Sequence, residues 1–215
     1  MRLRGRLAPS LAAVPHREPE TDDAALIAAA RQGDSAAFAR LFHRHADAVR
    51  TRITRLVGPV AERDDLVQKV FIAFYRGLPK YRGDARLSTY LHRVAVNTAY
   101  DHLRGRHRWA DSASLPDGDA LDGPVSATLD DQVAARADLA RMLSLLDHLS
   151  PKQRIAFVLV AVEGCSLAEA AALIGARVDT VKQRALHARR DLLARLAAAT
   201  GARKARGAPP MEGTS

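Results

Sequence analysis

From position 177 to 192 the chain sets Arg177, Asp179, Thr180, Lys182, Gln183, Arg184, His187, Arg189 and Arg190 around Val181, Ala185, Ala188 and Leu192. The apolar four recur at steps of four, three and four, one stripe of an α-helix, so the polar residues lie off it. Arginine and glutamine carry the forked groups that match guanine and adenine edges. That chemistry nominates Asp179, Thr180, Lys182, Gln183, Arg184 and His187 for base edges, and Arg177, Arg189 and Arg190 for phosphates. A second set lies upstream, where Tyr81, Arg82, Arg86, Tyr90 and Asn97 follow one another. Unstacked bases rest on aromatic faces beside cations, at roughly 1–3 kcal/mol per base, and the short amide of Asn97 could bond a flipped base. Composition alone favours a plainer reading of Tyr81 and Tyr90 as core aromatics, and for the downstream set a helical hairpin with a merely solvated charged face stays open as the alternative.

Two helical units must position these sets. Ser166-Leu167-Ala168-Glu169 is a capping box that opens a short helix to Ile174. Gly175 supplies the turn and a long helix follows from Val178 to about Leu196, with Leu196 on its inner stripe. Short helix, glycine turn and longer helix make the helix-turn-helix plan. Before it, Ser150-Pro151-Lys152-Gln153 caps a helix reaching Val162, whose run Ile155 to Val162 should be buried, and Gln132 to Leu149 forms another. The upstream unit reads as four helices. One ends at Ala30; the next carries a stripe of Phe38, Leu41, Phe42, Ala46, Val49, Ile53 and Leu56 and stops at Gly58-Pro59. The third runs from about Ala61 to Arg76, counting Leu66, Val70, Ile72 and Phe74 as apolar, and the fourth from Leu87 to about Arg106.

Charge separates the units. Residues 22–109 hold sixteen basic and nine acidic side chains, and 132–199 hold ten and six. Between them 110–131 holds six aspartates, no lysine or arginine, and prolines and glycines in place of large apolar residues, so it reads as a flexible acidic linker. The whole chain of 215 residues carries a net charge of +9, a balance that favours polyanions, and alternating β-patterns are missing. The fold class is therefore all-α, two small helical domains on an acidic tether. Residues 1–21, with Arg2, Arg4 and Arg6 before a short apolar stretch broken by Pro9 and Pro15, are expected to be a disordered leader, and 200–215 a disordered tail. Cys165 is the single cysteine, which excludes an internal disulfide and fits a reducing cytosol; no apolar run nears the roughly 20 residues of a membrane span.

Two stretches carry a family resemblance. Asp64-Asp65-Leu66-Val67-Gln68-Lys69-Val70-Phe71, then Tyr81-Arg82-Gly83-Asp84-Ala85-Arg86-Leu87-Ser88-Thr89-Tyr90-Leu91-His92-Arg93-Val94-Ala95-Val96-Asn97, resemble domain two of extracytoplasmic-function (ECF) sigma factors of the sigma-70 superfamily. Leu149 to Arg154, Glu163 to Ala171 and Val178 to Arg184 resemble domain four of the same family. The resemblance implies a non-enzymatic, cofactor-free cytoplasmic subunit that directs core RNA polymerase to promoters. It implies that Asp65, Leu66, Val67, Gln68 and Phe71 lie near the surface docking on the polymerase, whose beta and beta-prime subunits are the expected partners. It further implies that Tyr81, Arg82, Arg86, Ser88, Thr89, Tyr90, Arg93 and Asn97 capture the minus-ten strand, that the second domain reads minus-35 duplex, and that an anti-sigma factor is a regulator. The linker would then follow the RNA-exit channel. Departures from the family pattern are Lys69 for its glutamate, Tyr90 for its tryptophan, Leu87 for its phenylalanine, and Ala185-Leu186-His187 for its Leu-His-Arg. Cys165 replaces an apolar residue and reads as core.

Two rivals remain on the sequence: a helix-turn-helix regulator that works without polymerase, and an adaptor whose basic faces bind no DNA. His43, His45 and Asp47 do not share one helix face, so no metal is expected there.

Overall fold

The computed structural model describes residues 21–83, 85–112 and 144–206. Its helices are α1 (Thr21–Arg31), α2 (Ser35–Val57), α3 (Arg63–Gly77), α4 (Leu87–Ser112), α5 (Pro151–Phe157), α6 (Leu167–Ile174) and α7 (Val178–Arg206). A 3-10 turn, Leu78–Lys80, follows α3, and a π turn, Val158–Val162, follows α5. Among the described residues regular structure is entirely helical. Most of the acidic linker, the greater part of the helix expected from Gln132, and the leader up to residue 20 lie outside them. Two expectations change at the edges: α4 runs on to Ser112, and the segment 200–206 is helical.

Local sequence accounts for where the helices begin. Asp34 Oδ1 accepts hydrogen bonds from the backbone N–H of Ala36 and Ala37, at 2.9 and 3.0 Å, and so caps α2. Both expected capping boxes form. Gln153 N–H donates to Ser150 Oγ while Ser150 N–H donates back to Gln153 Oε1, and Ser166 and Glu169 repeat the exchange at α6. That exchange holds the Glu169 carboxyl below the ordinary glutamate range. Gly175 closes α6 at φ 68°, a left-handed conformation that favours glycine.

Helices α1 to α4 pack on one another, with Leu41, Ile53, Leu56, Leu66, Val70, Phe74, Leu91, Ala95 and Ala99 forming their buried stripes. Phe38 stacks on Phe74 at 5.8 Å between centroids, and Phe42 meets Phe71 at 4.6 Å. Helices α5, α6 and α7 form the second unit around Ile155, Val158, Leu159, Ala170, Val181 and Ala188. The two units are in contact, α4 lying against α5 and α6.

Three apolar assignments need correcting. Ile72 is 49% exposed on the outer face of α3. Val162 is also exposed, because the helix expected to reach it widens into the π turn, closed by Glu163 N–H donating to Val158 O at 2.9 Å. Leu196 is exposed since α7 has left the core beyond Leu192.

Phe74, fully buried between α2 and α4, tests the first core. Phe74→Ala should lower stability by about 3–5 kcal/mol in urea unfolding followed by circular dichroism, and a loss under ~1 kcal/mol would show that the cavity collapses.

Candidate nucleic-acid interface

On α7 the buried face is apolar and the exposed face mostly polar, with Val178, Leu186, Leu193 and Leu196 as its exposed large apolar residues. Val181 and Ala188 are fully buried and Leu192 nearly so, whereas Asp179, Lys182, Gln183, His187, Arg189 and Arg190 are exposed. Thr180 and Arg184 are half-buried, and Arg177 is exposed just ahead of the helix. The helix-turn-helix geometry is therefore complete: a capped short helix, a left-handed glycine, and a long helix presenting polar side chains from its first turns.

The upstream set divides differently. Tyr81 is 9% exposed, its hydroxyl donates to Ala85 O at 2.6 Å, and its ring meets Tyr90 edge-on at 5.1 Å. As placed, Tyr81 pins the turn that carries Arg82 and Arg86 and offers no open ring face to a base. Tyr90 is half-buried between Phe74 and Tyr81, at 5.9 and 5.1 Å. Arg82, Arg86, Ser88, Thr89, Arg93 and Asn97 are exposed. Thr89, Arg93 and Asn97 follow at steps of four, which aligns them along one face of α4. Leu87 and His92 are buried on the opposite side.

Of the docking candidates, Leu66, Val67 and Phe71 are buried in the first core, and Asp65 and Gln68 are exposed. The face of α3 that carries Asp65 and Gln68 continues through Lys69 and Ile72 to Tyr75, all exposed. Ile72 and Tyr75 were not singled out as surface residues, because periodicity counted Ile72 as core. Two large apolar residues exposed on the same face as the docking candidates Asp65 and Gln68 are the signal that finds them.

No spacing pattern points to the cleft of about 210 Å³ between the units, lined by Val96, Asn97 and Tyr100 of α4, Lys152 and Ile155 of α5, and Arg184 of α7. Candidate residues from both sets thus face the same space. Nearby, burial pushes the Cys165 thiol above its ordinary range, reinforced by the carboxylates of Glu163 and Glu169, while Arg52 pulls the other way. Arg52 itself is held below the ordinary arginine range by burial, and Glu163 and Cys165 oppose that shift. His45 lies 2.9 Å from Asp23, which also accepts a hydrogen bond from Arg44 at 2.7 Å. Among the described residues no group of three or more His, Cys, Asp or Glu converges on a point.

Models of known families match both units: sigma-70 region 2 over residues 41–109, and sigma-70 region 4 over 139–192. The ECF RNA polymerase sigma factor SigM of Mycobacterium tuberculosis is 36% identical over 80% of this chain and 84% of its own length. The solved structure of CnrH in complex with the cytosolic domain of CnrY is similar with a TM-score of 0.55 and 30% identity, over 82% of this chain and 98% of that one. A third relative is the sigma factor RpoE of Bartonella quintana, solved in complex with the anti-sigma factor NepR. It gives a TM-score of 0.51 and 25% identity over 72% and 93% of the two chains.

Two predictions follow from the packing. A side chain at Gly77 would strike the Tyr90 hydroxyl, and Tyr90 is hemmed in by Phe74 and Tyr81. Gly77→Ala gains up to about 1 kcal/mol of helix propensity but overpacks by about 1–3 kcal/mol, so it should destabilise on balance. Adding Tyr90→Phe should recover the loss in thermal melts; a Gly77→Ala chain as stable as the parent contradicts the packing. The raised thiol pKa predicts that Cys165 reacts with Ellman's reagent at pH 7 more slowly than free cysteine. A rate matching free cysteine would mean the thiol is not shielded in solution.

Proposed function

This chain belongs to the ECF sigma factors of the sigma-70 family, the promoter-directing subunits of RNA polymerase, and from that membership we propose how its residues divide the work. Domain four, built on α5, α6 and α7, reads the minus-35 element as duplex. Asp179, Thr180, Lys182, Gln183, Arg184 and His187 face the base edges, and Arg177, Arg189 and Arg190 bind the flanking phosphates. The observation that carries this reading is the fully buried Val181 and Ala188 beneath exposed Lys182, Gln183, His187, Arg189 and Arg190, a mostly polar and cationic face that Leu186 interrupts. Those amide donors and cations suit a groove lined by acceptors and phosphates.

Domain two performs strand capture. Arg82, Arg86, Ser88, Thr89, Arg93 and Asn97 form the exposed wall that meets the minus-ten strand, and Tyr81 and Tyr90 shape the turn behind it. Asp65 and Gln68, extended by Lys69, Ile72 and Tyr75, form the face of α3 that docks on core polymerase; Leu66, Val67 and Phe71 hold that face on its core. Beta and beta-prime are the partners proposed for the two domains. Chemistry stays with the polymerase, so the chain needs no catalytic group of its own. The sigma factors of the two similar structures were solved with CnrY and with an anti-sigma factor, NepR, which supports an anti-sigma regulator here too. The chain acts in the cytoplasm, where polymerase and chromosome are; among the described residues no helix is long and apolar enough to cross a membrane.

Run-off transcription with purified core enzyme on genomic promoter fragments tests the proposal. Wild-type chain should yield discrete transcripts that core enzyme alone does not. Arg184→Ala should weaken duplex recognition by about 1–3 kcal/mol if it reads a base, and Arg189→Ala should lower affinity evenly across sequences and reduce its salt dependence. Duplex binding of full strength with no effect on polymerase would instead favour an independent helix-turn-helix regulator.

A further inference from the structure

Helix α1 contributes no residue to either DNA-reading set, yet both of its ends are tied by charged side chains. Near its start, Asp23 Oδ1 accepts a hydrogen bond from Arg44 Nη1 of α2 at 2.7 Å, and Asp23 Oδ2 lies 2.9 Å from His45 Nε2. At its last residue, Arg31 Nε donates to the backbone carbonyl of Leu78 at 3.1 Å. Between the two ties, Leu26, Ile27 and Ala30 are buried in the core. Asp23 and Arg31 stand eight residues apart, about 12 Å of helix at 1.5 Å per residue. The helix is a short strut from α2 to the turn that follows α3.

Leu78 is where the turn leading to Arg82 and Arg86 begins. Its side chain is buried, and its carbonyl accepts a second hydrogen bond at 3.2 Å, from the Tyr81 N–H that also reaches Gly77 O. A carbonyl oxygen has two lone pairs, and here Arg31 and Tyr81 take both. Tyr81 then closes the far side of the turn, its hydroxyl donating to Ala85 O at 2.6 Å, one residue before Arg86. We propose that Arg31 is a positioning residue for strand capture: by holding Leu78 it fixes the entry of the turn, and with it the placement of Arg82 and Arg86 ahead of the exposed face of α4. This rests on the assignment of Arg82, Arg86, Ser88, Thr89, Arg93 and Asn97 to the minus-ten strand under the proposed function.

The turn has little packing of its own. Among the described residues of 78–87 only Leu78, Tyr81 and Leu87 are buried, so hydrogen bonds set the path between those anchors. A turn that must be ordered as the strand arrives gives back part of the contact energy to lost chain entropy, and one already in place does not. Captured bases come from a duplex that re-pairs, so this difference enters the rate of opening directly. The chemistry of Arg31 also supplies its own controls. Lysine keeps the charge and a donor for Leu78 O without the planar fork; methionine keeps an unbranched stem and loses the donor. Tyr81→Phe removes the second tie with no change of charge, so it separates positioning from simple attraction of Arg31 to phosphate.

The test uses the full chain, alone and assembled with purified core polymerase. Brief trypsin digestion of the free chain, read by mass spectrometry, reports how readily the turn opens for cleavage after Arg82 and Arg86, with no DNA present. Arg31→Met and Tyr81→Phe should each speed those cuts, and Arg31→Lys should speed them less. Run-off transcription is then measured on a fragment that the wild-type chain transcribes, and on the same fragment with a mismatched, pre-melted segment upstream of the mapped start. Arg31→Met should lower output on the duplex template roughly two- to tenfold, the equivalent of one hydrogen bond. The loss should shrink on the pre-melted template, where the strand no longer competes with re-pairing; a chain that was merely destabilised would lose equally on both. Unchanged cleavage after Arg82 and Arg86 in folded Arg31→Met and Tyr81→Phe overturns the tie. Faster cleavage with equal output, or equal losses on the two templates, overturns the positioning role. A wild-type chain that yields no transcript from any fragment with active core enzyme overturns instead the proposed function on which the role rests.

Discussion

Burying the guanidinium of Arg154 is the constraint on which the arrangement of this molecule turns. A cation at 2% exposure must have its hydrogens met, and the structure meets them from both sides, with Asp147 in its own domain and the Leu56 carbonyl in the other. Burial lowers the pKa of Arg154, and the Asp147 carboxylate opposes the shift, so the side chain stays charged. Leu56 O lies in the last turn of α2, where helix carbonyls lack internal partners and carry the negative end of the dipole. One side chain thereby satisfies an orphan acceptor and fixes α5 against α2. The positions of α6 and α7 follow, because both pack on the unit that α5 anchors.

That placement gives the cleft its mixed character. The face of α4 that carries Asn97 and the start of α7 that carries Arg184 are both built to be wet: their inner neighbours, Val96 and Val181, are buried, and the polar residues point outward. Facing each other across 210 Å³, they share the cleft with Val96, Ile155 and Ile174, so polar and apolar groups meet there. The joint combines a buried apolar core that runs through both units with the polar contacts of Arg154 and Glu163 at its edge.

Much of the individual helices was legible in the sequence, and the partners of those helices were not. Stripes such as Leu41, Val49, Ile53 and Leu56, or Val181, Ala188 and Leu192, were read from spacing, since a helix has one buried face and spacing reports it. The two capping boxes and Gly175 were equally local and equally plain. Spacing fails where the local rule changes. The π turn adds a residue to the helical period, so Val162 moves out although its run is uniformly apolar. Ile72 is apolar yet sits on the exposed outer face of α3. At Tyr81, composition favoured a core aromatic and the family motif favoured a base platform. The ring lies in the core and its hydroxyl organises the loop, a role that depends on Ala85 four residues away and on Tyr90 across the turn. The contacts of Arg154 with Leu56, and of His92 with Glu163, span 98 and 71 positions, and no periodicity carries information over such separations.

The balance of charge sharpens what the joint must do. Both domains are net positive, with sixteen basic against nine acidic residues in 22–109 and ten against six in 132–199. The excess that draws each domain to DNA also drives the two apart. At physiological salt this repulsion is screened within about 8 Å, so it acts mainly between groups close to the joint, whereas the contacts of Arg154 and His92 work at 2.7 to 2.9 Å. Short, partly dehydrated contacts hold against a screened and diffuse repulsion. Helix α3 packs on α2 and α4, the helices that carry Leu56, Arg52 and His92, so its placement and that of the joint rest on the same two helices.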